Sequence, residues 1–286
     1  MIEYIVVEKE IQMNFIAKHE NLYVVGGCVR DKIMGNVPKD IDYCFAGSEQ
    51  DLLKIFPNAK SVGISFPVFI VDGCEVALTR TEKSTGEGYS DFEVTNIGVS
   101  IEEDLHRRDF TMNQIAINTL TGVMIDPTEG YNDIMKGIIR TTNKDAFKDD
   151  PVRILRAIRF STTMDFDIDH DTFMLAMYEV DRLKLVTKER IVLELEKMWK
   201  GADRPSRFFN ILTIMTGLEY ISPIMVKMHD VPAGPVKYNG YTTVFMHTME
   251  VIDRVKKNGG SFSAFIGALT HDFGKVITPW ECPKKR

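Results

Sequence analysis

Apolar residues fall in short runs in the first half of the chain and in helical spacing in the second. Residues 22–25, Leu-Tyr-Val-Val, read as a strand that Gly26 and Gly27 break. Ahead of it, residues 1–20 read as a short strand and then a helix ending near His19. Residues 49–56 have helical spacing, 66–71 form a strand after the Gly63 turn, and a second strand, 74–78, returns across an Asp72-Gly73 hairpin. Residues 80–92, RTEKSTGEGYSDF, have the Gly, Ser and charge content of a mobile loop. After the acids of IEEDLHRRDFTMN (101–113), Phe110, Met112, Ile115, Ala116 and Ile117 are spaced among polar residues as on a helix. A strand-like 122–125 leads to a tight turn at Asp126-Pro127 and Gly130, and 133–137 begin a connector. From Asp149 onward the spacing is helical, with Pro151 suited to a first turn and Val152, Leu155 and Ile158 on one side. Further helices are expected over 165–180, capped by Asp169 or Asp171, and over 189–197 and 205–216. Beyond a linker marked by Pro232, Gly234 and Pro235, two more hold His247 and residues 262–269. Strands first and helices after them give an α+β class: a small mixed or antiparallel sheet with helices, then all-helical domains.

Within this pattern Asp40 and Asp42 flank Ile41. On a strand, a period of two puts both carboxylates on one face and Ile41 in the core. Neighbouring carboxylates repel and desolvate badly unless a cation lies between them. The fitting ion is hard and divalent, Mg²⁺ held jointly with a substrate phosphate. Gly26 and Gly27 let a phosphate chain approach the backbone, and Arg30 can hold it with paired donors. Asp150 and Arg153, three apart on one helix face, can offer an acceptor and a donor fork to a base edge, with Arg156 one turn on reaching a base or phosphate. A helix salt bridge between Asp150 and Arg153 is the alternative.

A length of 286 residues accommodates two or three compact lobes, and an apolar content of 44% supports true cores. The net charge of -6 argues against wholesale wrapping of nucleic acid. It leaves room for a local basic track, for which Arg153, Arg156, Arg159, Arg182, Lys184, Lys188 and Arg190 are candidates. No apolar run is long enough to cross a bilayer, and MIEYIVVEKE lacks the order of a signal peptide. Met13 opens a second possible start, so the first twelve residues read as a dispensable extension. Cys28, Cys44, Cys74 and Cys282 show no C-x-x-C pairing, which argues against disulfides and a zinc knuckle and makes the cytosol the default.

GG-x-x-R-D at 26–31 followed by D-x-D at 40–42 resembles the nucleotidyltransferase signature of the DNA-polymerase-β superfamily. In particular it resembles the bacterial-type tRNA CCA-adding enzyme and poly(A) polymerase family. L-x-R-R-D-F-T-x-N at 105–113, D-P-x-x-G-x-x-D at 126–133, D-D-P-V-R at 149–153 and E-R-I-x-x-E-L-x-K at 189–197 are similar to further family motifs. Ile134 stands where the family has Leu, and Asp149 where it has a Glu that does not read the base. The resemblance covers 21–200 and 245–285. It implies a polymerase-β-like nucleotidyltransferase head at 1–140, a nucleotide-reading and RNA-contacting helical neck at 141–222, and the start of an HD-type helical domain at 223–286.

The same resemblance implies roles. Asp40 and Asp42 would be the metal-binding catalytic acids, with Glu75 a third acid near them, and Arg107 a triphosphate contact, while Arg108 and Asp109 would brace the helix. Asp150 and Arg153 would read the incoming cytosine or adenine, with the charges of 189–197 bracing their helix from behind. The 80–92 loop would close during nucleotide addition. His247, together with His271-Asp272 in HD-x-G-K, resembles the HD phosphohydrolase fold, where two His and an Asp bind a second divalent metal that activates water. That fold needs a further Asp downstream, so this part is expected to be incomplete and weak or inactive as a hydrolase. The implied function is template-independent addition of CCA to the tRNA 3′ end from CTP and ATP, in the cytoplasm, with no membrane or obligate protein partner. The alternatives are a poly(A) polymerase and a phosphohydrolase of 2′,3′-cyclic or 2′-phosphates.

Overall fold

The apolar run at 22–25 is strand β1 (Leu22–Val25), and in the computed structural model it lies well inside a mixed sheet. The structure describes residues 15–63, 68–84, 92–95, 98–234 and 242–278. The expectations for the first twelve residues, Phe66, the 85–91 centre of the loop, Pro235 and Cys282 lie outside them. The chain divides into two compact units, Met1–Asp149 and Asp150–Arg286.

In the first unit the strands after β1 are β2 (Tyr43–Phe45), β3 (Lys60–Val62), β4 (Val68–Val71), β5 (Cys74–Leu78), β6 (Thr81–Ser84), β7 (Phe92–Thr95), β8 (Ala116–Asn118), β9 (Met124–Ile125) and the two-residue β10 (Ile138–Ile139). Seven form one sheet in the order β3-β4-β5-β2-β1-β8-β9. Its described pairings are antiparallel except β2 with β5, which run parallel with Tyr43 opposite Val76. The hairpin at Asp72-Gly73 is present, with φ of 49° and 84° at its two residues, the left-handed pair that a two-residue turn between twisted strands needs.

The helices of this unit are α1 (Gly27–Ile33), α2 (Glu49–Ile55), α3 (Ile101–His106), α4 (Gly130–Lys136) and α5 (Ala146–Asp149). Ser48 caps α2 by accepting from the Asp51 amide, and Ser100 with Glu103 closes a reciprocal capping box on α3. Ile101 and Leu105 of α3 pack on Val25, Cys44 and Ala116 of three adjacent strands. At the start of α4, a Cβ on Gly130 would stand 2.1 Å from the Thr111 carbonyl oxygen, so only glycine lets these backbones meet.

Several expectations are corrected here. Residues 15–19 are not helical: the Ile16 amide donates to the Tyr43 hydroxyl and the His19 amide to Thr119 Oγ1, which ties the segment to the sheet. The arms of the supposed loop, Thr81–Ser84 and Phe92–Thr95, pair with each other as an antiparallel ribbon. The helical spacing after Arg107 also fails. α3 stops at His106, Phe110 is extended (φ -131°, ψ 149°), a 3₁₀ turn covers Thr111–Asn113, and β8 follows. Phe110, Met112, Ile115, Ala116 and Ile117 are each at most 1% exposed, so both sides of this segment are covered and an amphipathic helix would not satisfy it. Asp109 also accepts from the Phe110 amide, a local bond that competes with continuing the helix.

The second unit is helical: α6 (Val152–Met164), α7 (His170–Tyr178), α8 (Lys188–Gly201), α9 (Ser206–Ile214), α10 (Leu218–Ile221), α11 (Pro223–Lys227), α12 (Val244–Lys257), α13 (Phe262–Thr270) and α14 (Gly274–Ile277). Asp165 ends α6 in the left-handed region, so 165–168 is not helical, and it is Asp169 that caps α7 by accepting from Thr172. Residues on both sides of position 222 share this unit. Asp253 of α12 accepts from the amide and hydroxyl of Ser206 at the start of α9, and Trp199 of α8 stacks on Phe265 of α13 at 4.7 Å. Those contacts join the neck helices to the later ones in one core.

Candidate active site

β1 delivers the chain to a glycine turn. Gly26 has φ 75° and ψ -137°, a conformation L side chains rarely adopt, and it caps α1 without a side chain. Arg30 points back within the protein. Its Nε and Nη2 donate to Asp31 Oδ1 at 3.0 and 2.7 Å, and its Nη1 to Asn113 Oδ1 at 2.8 Å. The guanidinium expected to hold phosphate therefore also locks α1 to the 3₁₀ turn.

Asp40 and Asp42 are not on a strand. They lie in the irregular segment before β2, and Ile41 is half-buried rather than part of the core. What places Asp42 is one bond: its carbonyl accepts from the Val25 amide at 3.0 Å and continues the β1–β2 ladder by a residue. Asp42 and Glu75 each immediately precede a residue of the parallel Tyr43–Val76 pair, so they stand side by side at one end of β2 and β5. Asp42 is exposed as a residue, yet its carboxylate has lost water against the sheet. That lifts its pKa first, Glu75 lifts it further, Arg108 opposes, and Asp40 adds to the rise. Two neighbouring carboxylates thus press on Asp42 with one arginine set against them, a condition a bound cation relieves.

Under this site lies a residue that the sequence reading counted only as one of several acids. Asp104 is fully buried on α3. Its Oδ1 accepts from Arg107 Nη2 at 2.7 Å, Arg107 Nε at 3.1 Å and the Arg80 amide at 3.2 Å. Its Oδ2 accepts from Arg108 Nη2 at 2.8 Å and Nε at 3.2 Å. Burial alone would raise its pKa, but Arg108 and Arg107 outweigh that and hold it below the ordinary value. An Asp followed by Arg at both i+3 and i+4 was the available signal, since those positions share a helix face. Asp109 is buried and accepts from the Phe110 amide and Asn113 Nδ2, so it holds the 3₁₀ turn rather than the expected helix, and His106 is exposed. Beside Asp104, burial pushes the Cys44 thiol up to about 12, which makes it inert.

In the second unit Asp150 is not on a helix with Arg153. It precedes α6, its Oδ1 accepts from the Val152 amide, and its salt bridge is with Arg190 of α8. Both carboxylate oxygens are engaged, at 2.9 Å from Nη1 and 2.7 Å from Nη2. Arg153, Arg156 and Arg159 form a half-buried stripe along α6. Arg159 pairs with buried Glu194 at 2.6 Å and lies 3.9 Å over the Phe160 ring, while Arg156 is 5.5 Å from that ring. The charges of 189–197 do brace α6.

Farther along the same unit His247 of α12, His271 and Asp272 bring one ligand atom each within 4.8 Å of the others. Asp272 Oδ2 is 3.3 Å from His271 Nε2, 3.9 Å from His247 Nε2 and 2.7 Å from Lys275 Nζ. Among the described residues this is the trio that meets such a spacing; Asp40, Asp42 and Glu75 are not drawn so close, as repelling carboxylates are not.

Residues 22–140 match the family described as the Poly A polymerase head domain. A Multifunctional CCA protein of Nitrosococcus oceani is 38% identical over 90% of the chain. The chain spans 64% of that relative's length, slightly under two thirds. The Thermotoga maritima CCA-adding enzyme complexed with tRNA is 26% identical with a TM-score of 0.63, covering 92% of this chain and 62% of that one. Complexes of a CCA-adding enzyme with CTP and with ATP are each 27% identical, with TM-scores of 0.64 and 0.65. They cover 91% and 90% of this chain and 58% of theirs in both cases.

Within residues 22–140, the structure gathers Asp42 and Glu75 at one sheet end, with Asp40 two residues before Asp42. Arg107 and Arg108 are both held by Asp104, and Arg108 is the arginine that acts on Asp42. No helix among the described residues is long and apolar enough to cross a membrane.

Proposed function

We propose that the chain adds CCA to the 3′ end of tRNA from CTP and ATP with release of pyrophosphate, acting in the cytosol. The observation that carries this reading is the like-charge pressure on Asp42 from Glu75 and Asp40 beside the Gly26 turn. The oxygen-only donor set fits Mg²⁺, which Asp40 and Asp42 would hold and which would supply positive charge to the phosphates and acidify the attacking hydroxyl. Gly26 and Gly27 leave the backbone open to a triphosphate, and Arg107 and Arg30 supply charge to its oxygens. Asp150 and Arg153 select the base, with Arg156 reaching the base or a phosphate. Two Arg190 bonds aim the Asp150 carboxylate, which still has acceptor capacity for a base amino group. The described cysteines are free thiols, in keeping with the cytosol.

The test supplies a tRNA lacking CCA with CTP and ATP, separately and together, with Mg²⁺, and sequences the 3′ ends. Two cytidines and then one adenosine are expected. A long adenosine run from ATP alone would replace this reading with poly(A) synthesis, and no addition at all would overturn both.

The His247, His271 and Asp272 cluster favours a second activity, phosphohydrolysis of 2′,3′-cyclic or 2′-phosphates. Its donor set fits a divalent metal, with Lys275 competing for Asp272. The wild-type chain, stripped by chelation and reloaded, is expected to retain one equivalent of metal that His271→Ala loses. Equal retention by both would remove the cluster as a metal site, and opening of a 2′,3′-cyclic phosphate to its monoester, or release of phosphate from a 2′-phosphate, without any NTP would mark it as catalytic.

A further inference from the structure

We propose that Asp104 is a positioning residue for the nucleoside triphosphate, acting through Arg107 and Arg108 to present one rigid double guanidinium at the glycine turn. The inference rests on the nucleotidyl-transfer reading above and extends it from Arg107 to Asp104 and Arg108, which the resemblance did not place at the nucleotide. A carboxylate with no exposure is an expensive thing to bury, and it persists only with its charge fully matched. Asp104 is matched by dividing its oxygens: Oδ1 takes Arg107 and Oδ2 takes Arg108. Each arginine spends its Nε and Nη2 on that carboxylate. Two-point pairing fixes the plane of a guanidinium as well as its position.

The outer edge of Arg108 faces the glycine turn. Arg108 Nη1 lies 3.1 Å from where a Cβ on Gly26 would stand. The same guanidinium acts on the Asp42 carboxylate as the one stabilising charge set against Glu75 and Asp40. Backbone ties keep the two arginines from swinging out: Arg107 Nε also donates to the Arg80 carbonyl, and the Arg108 carbonyl accepts from Gln114 Nε2. Each arginine side chain keeps 20% of its surface exposed while Asp104 keeps none, so the carboxylate that anchors them is dry. An anionic ligand over Gly26 then meets cations already oriented, with little side-chain entropy left to lose.

Asp104→Glu tests this, because it keeps the charge but carries the carboxylate one methylene farther and disturbs the aim of both arginines. ATP affinity is measured by equilibrium dialysis with Mg²⁺, and KM and kcat on tRNA lacking CCA, after circular dichroism confirms an unchanged fold. At least tenfold weaker ATP binding is expected, with a matching rise in KM and kcat changed by less than about threefold. Arg108→Lys keeps the charge pair yet loses the fork at Gly26, and it should show the same loss; it decides the matter if Asp104→Glu does not fold. In the double variant the losses should not multiply, since both act on one unit. Wild-type affinity in the folded single variants, or losses that multiply, overturns the role of Asp104. Failure of the wild-type chain to bind ATP would instead overturn the nucleotidyl-transfer reading itself.

Discussion

Asp42→Ala abolishes nucleotide addition, lowering the rate by at least about 10³-fold, and leaves the fold intact. The two halves of this expectation have one physical source. Asp42 sits where water is partly lost and where Glu75 and Asp40 repel it, so its ionised form is disfavoured in the folded chain. A carboxylate with a raised folded pKa costs stability at every pH above that pKa, and the cost is relieved as pH falls through it. Removing the side chain therefore leaves the variant no less stable than wild type at pH 7, to within about 0.5 kcal/mol. The advantage should shrink as pH drops toward the ordinary value of 3.8. Incorporation assays paired with urea melts at pH 7 and pH 4.5 check both halves. Wild-type turnover by the variant would remove Asp42 from the chemistry, and a large loss of stability would make it a structural acid instead.

Asp104→Asn has the opposite signature, a large loss of stability. It leaves Arg107 and Arg108 facing each other with no anion between them, and breaking a buried pair in this way costs about 3–5 kcal/mol. The pH dependence also reverses. Asp104 has a folded pKa held below its ordinary 3.8, so its contribution is fully present above that value and is lost as pH falls through the folded pKa. The stability gap between wild type and Asp104→Asn, read from denaturant midpoints, should be constant from pH 7 to pH 5 and narrow below about pH 4. A gap of less than about 1 kcal/mol at pH 7 would show that the two arginines find solvent readily once the carboxylate charge is gone.

Asp42 and Asp104 together show how sequence and structure divided the information. Features held by near neighbours were legible. The Asp72-Gly73 hairpin and the glycine break at Gly26 depend on bonds within a few residues and are read from the amino-acid order, which also narrowed the cap of α7 to Asp169 or Asp171. The motif acids were legible too, because residue type at fixed spacing carries the chemistry whether or not the segment is a strand. Asp40 and Asp42 keep their candidacy although they stand in an irregular turn, where the Val25–Asp42 bond and the parallel Tyr43–Val76 register bring Asp42 to Glu75.

What the tertiary structure alone decided was partnership and burial. Asp150 pairs with Arg190, forty positions away, and not with Arg153 on its own side of the chain. The apolar spacing at 110–117 is equally compatible with a helix and with a strand covered on both faces. Only the return of the chain beside β1, with α3 over it, makes it β8. Asp104 reads in the sequence as one acid among three, and the same packing of α3 turns it into a dry anchor for two arginines. Spacing along a chain fixes which side chains share a local face, whereas solvent exclusion and long-range charge pairing exist only once distant segments have closed on one another.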